Sequence, residues 1–126
     1  MKHKILIIDD DENILELTKR VLERRGYEIV THSTGEGIIG LVKLELPHLV
    51  ILDNLLPGKD GSEICLELKT EPSTRHIPII LATGQVPTED LAPKSKELRA
   101  EGYLTKPFEI DELVQKVEKL LPQENP

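Results

Sequence analysis

Three consecutive acids, Asp9, Asp10 and Asp11, follow directly on the apolar run Ile5-Leu6-Ile7-Ile8. A run of that kind suits a strand buried on both faces, so the carboxylates stand where a strand ends and a helical pattern begins. Like charges crowded there raise one another's energy unless a cation or hydrogen-bond donors neutralise them. Hard divalent cations suit clustered oxygen ligands. The plainer account of part of this run is local, since Asp11 is a good N-cap for the helix that follows. Asp53, after the apolar run Leu49–Leu52, adds a fourth carboxylate at a strand end. A carboxylate can act as a nucleophile toward phosphorus and give an acyl phosphate. Thr83, Gly84, Thr105, Lys106 and Pro107 also follow apolar runs. A compact ammonium on a long stem and a short hydroxyl are groups that can neutralise a phosphoryl oxygen.

These residues share chemistry only if the chain brings them to one edge. Five short apolar runs alternate with helical patterns: Lys4–Ile8, Glu28–His32, Leu49–Leu52, Ile77–Ala82 and Gly102–Leu104. Helices are expected at Glu12–Arg25 with Gly26 as the stop, Gly35–Glu45 ended by Pro47, Ser62–Lys69, and Ile110–Leu121 ended by Pro122. Between the fourth and fifth strands, Pro87 and Pro93 limit regular helix, which is expected to start near Pro93. Strands alternating with helices imply an α/β fold, a doubly wound five-stranded parallel sheet covered on both faces. In such sheets the site lies beyond the carboxyl ends of the strands.

Composition narrows the choices. With 126 residues the chain reads as one domain over 1–121, followed by a polar tail or linker start at 122–126. Aromatics are scarce, with two Tyr, one Phe and no Trp, so the core must be aliphatic. A formal net charge of −7 argues against nucleic-acid binding, because phosphate contacts need a basic surface. The single Cys65 excludes an internal disulfide and falls in an apolar helical pattern, as a small buried hydrophobe would. No apolar stretch reaches membrane-span length and no signal-peptide pattern opens the chain, so a cytoplasmic protein is expected. His3, His32, His48 and His76 are dispersed without ligand spacing.

Four ordered motifs resemble those of response-regulator receiver domains over essentially the whole chain. They are Ile7-Ile8-Asp9-Asp10-Asp11, Leu52-Asp53 with Leu56-Pro57-Gly58-Lys59-Asp60-Gly61, Leu81-Ala82-Thr83-Gly84, and Tyr103-Leu104-Thr105-Lys106-Pro107-Phe108. The resemblance implies a flavodoxin-like (βα)5 fold with strand order 2-1-3-4-5. It also implies that Asp53 accepts phosphate from a phosphohistidine on a sensor histidine kinase or phosphotransfer protein. By the same resemblance Asp10, Asp53 and the backbone carbonyl of Leu55 would ligate magnesium or manganese, with Asp9 orienting metal-bound water. Lys106 would pair with the phosphoryl group or, without it, with Asp53. Thr83 and Tyr103 would form the switch, and the Lys106-Pro107 bond would be cis. Asp60-Gly61 reads more simply as a turn and helix start.

Three features depart from the family pattern. Asn54 is polar where an apolar residue is usual, Arg99-Ala100-Glu101-Gly102 replaces a small Gly-Ala turn, and Pro87 and Pro93 disturb the fourth helix. Gln85 and Leu55 flank the path of a hydrolytic water. Among rivals, a flavodoxin-like electron carrier would need a Ser-, Thr- and Gly-rich loop where this chain has acids. An aspartate-nucleophile phosphatase of the haloacid dehalogenase type would need Asp at position 55, which is Leu. A constitutive interaction module without a phosphorylation cycle is the remaining alternative.

Overall fold

In the computed structural model, which describes residues 2–57, 59–84 and 100–121, alternate side chains of the first strand leave the sheet on opposite faces. Ile5 and Ile7 of β1 (Lys4–Ile8) enter one apolar layer, and Leu6 and Ile8 enter the other. That period-2 split is why the run is apolar at every position. β2 (Glu28–His32), β3 (Leu49–Asp53), β6 (Ile79–Thr83) and β7 (Gly102–Thr105) complete a parallel five-stranded sheet ordered β2-β1-β3-β6-β7. Counting these five strands alone, the order is the expected 2-1-3-4-5. A two-residue hairpin, β4 (Leu55–Leu56) with β5 (Lys59–Asp60), lies in the loop after β3 and was not anticipated.

Helix α1 (Glu12–Arg24) covers the first face together with α4 (Ile110–Leu120), through Leu15, Leu22, Leu113, Val114 and Val117. Helices α2 (Ile38–Glu45) and α3 (Gly61–Thr70) cover the second through Ile38, Val42, Ile64, Cys65 and Leu68. Each fully buried aliphatic side chain contributes about 1.5–3 kcal/mol relative to exposure, so the two layers carry the fold. Asp11 caps α1 by accepting hydrogen bonds from the Asn13 and Ile14 amides, and Asp60 caps α3 through the Ser62 amide.

Boundaries differ from expectation by more than one residue in two places. α2 begins at Ile38, because Gly37 takes a left-handed conformation with φ 71° and breaks the helical path from Gly35. β6 begins at Ile79; Ile77 belongs to the preceding turn, where its amide bonds the Thr74 carbonyl. The expected helix near Pro93, Gln85 and the tail 122–126 lie outside the described residues.

Candidate functional site

The carboxyl ends of β1, β3, β6 and β7 deliver the candidate residues to one edge. β1 ends at Ile8 and hands Asp9 to the loop, while β3 ends on Asp53 itself. Both carboxylates are buried, with Asp9 4% and Asp53 5% exposed, whereas Asp10 is exposed. One oxygen from each of Asp9, Asp10 and Asp53 lies within 4.8 Å of the others. The loop following β7 brings Lys106 to them. Its Nζ donates to Asp9 Oδ2 at 2.7 Å and lies 3.1 Å from Asp53 Oδ2. The backbone amide of Lys106 bonds the Thr83 carbonyl at 2.6 Å, which fixes that loop against β6, and the Lys106-Pro107 bond is cis as expected.

The electrostatics follow from this packing. Burial pushes the Asp53 carboxyl above the usual carboxylate range; the Lys106 hydrogen bond opposes that, and the nearby Asp9 charge adds to it. Burial disfavours the charge on Lys106, but hydrogen bonds to Asp9 and Asp53 and their charges outweigh it and hold the ammonium above its ordinary value. The two acids therefore share one cation, leaving excess negative charge at the edge. The three converging carboxylates of Asp9, Asp10 and Asp53 offer oxygen ligands, a set that fits a hard divalent ion.

Not every expected residue joins this cluster. Thr83 ends β6 and is buried, beside the loop that carries Lys106. Leu55 turns its side chain to solvent, 73% exposed, and its amide donates to Asp53 Oδ1 at 3.4 Å. Tyr103 stands half-buried on β7 opposite Leu81, packed against the second apolar layer and away from the carboxylates. Burial raises its hydroxyl pKa. The contact of Lys106 with Asp9, closer than that with Asp53, was not anticipated; the two residues are 97 positions apart, beyond any local pattern.

Residues 5–118 match the sequence profile of the response regulator receiver domain. The chain belongs to that family. As a receiver domain it is a component of two-component signalling. It is 38% identical over 122 residues to sporulation initiation phosphotransferase F of Bacillus subtilis, covering 97% of this chain and 96% of that one. It is 37% identical to the alkaline phosphatase synthesis transcriptional regulatory protein PhoP of the same organism, covering 96% of this chain and 49% of PhoP. The receiver domain thus spans about half the length of that longer regulator. The BeF3-activated receiver domain of DrrB from Thermotoga maritima superposes with a TM-score of 0.84 at 32% identity, covering 98% of this chain and all of that one. Among the described residues, no helix is long and apolar enough to cross a membrane.

Proposed function

We propose that this receiver domain takes a phosphoryl group from a phosphohistidine of a sensor kinase or phosphotransfer protein onto Asp53. The observation that carries the reading is the shared bridge from Lys106 to Asp53 and Asp9 beside an all-oxygen acidic cluster. An Asp53 carboxylate oxygen attacks phosphorus, the P–N bond to the partner imidazole breaks, and the imidazole nitrogen keeps the electron pair. The product is an acyl phosphate on Asp53. Asp10, Asp53 and the Leu55 carbonyl, with Asp9 behind them, would hold magnesium or manganese, which would supply charge neutralisation for the phosphoryl oxygens. Lys106 neutralises a further oxygen. The Thr83 hydroxyl turns to donate to the phosphoryl group, and Tyr103 follows on the adjacent strand, so a local charge event biases a two-state face. The same groups let water return the acyl phosphate to carboxylate, so the domain catalyses only its own phosphorylation and dephosphorylation.

The partner approaches past an apolar cleft of about 370 Å³ lined by Ile14, Leu17, Thr18, Pro107, Phe108 and Ile110, with Lys106 in its wall. Leu17 is 52% exposed there. Introducing a charge by Leu17→Glu should slow phosphotransfer from the protein partner at least tenfold, the cost of one displaced apolar anchor. Phosphorylation by a small donor should be unchanged, and a parallel loss with both donors would remove the docking role. The acceptor itself is tested with acetyl phosphate, with and without magnesium, by intact mass. One phosphoryl group is expected with magnesium and none in Asp53→Asn; no gain under any condition in a folded protein would favour a phosphate-independent interaction module.

A further inference from the structure

Gly35 is buried in the loop between β2 and α2, pressed against the hairpin that follows Asp53. A Cβ there would stand 2.8 Å from Lys59 Cβ and 3.5 Å from the Lys59 Cα and amide nitrogen. Unlike Gly26 and Gly37, Gly35 does not have a positive φ, so its backbone admits any side chain and only space excludes one. Turning a flexible chain end cannot relieve a contact between two Cβ atoms. One of them must retreat by roughly 0.7 Å to reach ordinary carbon contact at about 3.5 Å.

The loop is the better anchored of the two sides. The Asp9 amide donates to the His32 carbonyl at 3.1 Å, which ties the end of β2 to the acidic edge. The His32 ring meets the Glu36 carbonyl through Nε2 at 2.7 Å, and the Glu36 amide donates to Thr34 Oγ1 at 3.3 Å, so residues 33–37 are knit across their own span. Ile38, which follows, is 2% exposed in the second apolar layer. The hairpin has only two residues in each strand, and Leu55 and Asp60 are both exposed. A side chain at position 35 would therefore displace the hairpin.

The hairpin in turn holds the acceptor's neighbour. Lys59 pairs with Leu56 and Asp60 with Leu55, so a shift at Lys59 is carried across the pairing to β4. The Leu55 amide donates to Asp53 Oδ1 at 3.4 Å, and the Leu55 carbonyl is the backbone ligand assigned to the metal above.

We propose that Gly35 is a positioning residue for the metal site: its missing side chain lets the hairpin seat against the β2–α2 loop, which sets Leu55 where its carbonyl completes the ligands of Asp10 and Asp53. The inference rests on the metal reading above. Magnesium demands a nearly ideal octahedron, whereas calcium accepts irregular oxygen sets, so a displaced carbonyl costs magnesium more. The seat thereby contributes to selectivity as well as to affinity.

The test is titration of Mg2+ and of Ca2+ into the metal-free protein, followed by amide NMR shifts. Gly35→Ala should weaken Mg2+ about tenfold, as loss of a support behind a ligand does. Its Ca2+ affinity should fall by less than about threefold. Lys59→Gly removes the opposing Cβ, and in that background Gly35→Ala should change Mg2+ affinity by less than about twofold. Lys59→Ala removes the ammonium and its 2.8 Å pair with Glu67 but keeps the Cβ, so it should give no such rescue. Unchanged Mg2+ affinity in Gly35→Ala, an equal loss for both cations, or an equal loss in the Lys59→Gly background would overturn the proposal. So would unfolding of Gly35→Ala, since the contact would then support the fold and not the metal site. Failure of the metal reading looks different: neither cation would then shift the Asp9, Asp10 or Asp53 amides of the parent protein.

Discussion

Lys106 shows how little a residue type means without its neighbours. A lysine before a proline is an ordinary surface charge; here two buried carboxylates share it. The acids themselves were legible in the sequence, because each follows an apolar run long enough to be a strand. Which of Asp9 and Asp10 is buried was not, since that depends on which way the loop turns after Ile8. Cys65 was legible for a simpler reason: its helical neighbours Ile64 and Leu68 are apolar, and the structure buries all three. Burial pushes the Cys65 thiol up to about 11. At pH 8 the native thiolate fraction is then on the order of one in a thousand. Iodoacetamide at pH 8 should leave Cys65 unmodified in the native protein and label it on unfolding in urea, as mass spectrometry would register. Rapid labelling under native conditions would contradict its burial.

At the scale of elements, strands were the easiest to read and helix starts the hardest. β1 and β2 fall where the apolar runs placed them, whereas α2 starts three residues late because its boundary is set by a backbone conformation at Gly37. Gly61 is the element boundary with most bearing on function. α3 starts there directly under Asp53, and any side chain would meet the Asp53 carbonyl and Asn54 Cα. Gly61→Ala should cost roughly 1–3 kcal/mol in urea unfolding, the usual cost of forced overpacking. It should also slow phosphorylation by acetyl phosphate, because Asp53 must shift with its own backbone. A stable Gly61→Ala protein with unchanged phosphorylation would show that α3 does not set the acceptor's position.

Across the whole molecule, an ion pair at the amino-terminal edge of the sheet ties the second layer to β7. Lys69 is 3% exposed and its Nζ donates to the Arg75 and Ile77 carbonyls and to Glu101, whose other oxygen accepts from the Ile79 amide. Glu101 belongs to the segment that departs from the family's small turn, and its partner 32 residues earlier explains what a carboxylate does there. No local pattern could have paired them. Glu101→Ala should destabilise the protein by roughly 2–4 kcal/mol, since it strands a buried ammonium. Acetyl phosphate should still modify Asp53, because the clamp lies at the opposite end of the strands; lost modification in the folded variant would argue against that separation. We propose that the folded edge as a whole makes Asp53 the phosphoryl acceptor. The most direct measurement is borohydride reduction of the acetyl phosphate-treated protein, followed by peptide sequencing in the mass spectrometer. Reduction of an acyl phosphate converts aspartate to homoserine, and the account predicts homoserine at position 53 alone. Homoserine at Asp9, Asp10 or Asp11, or phosphate found instead on a serine, threonine or histidine, would contradict it.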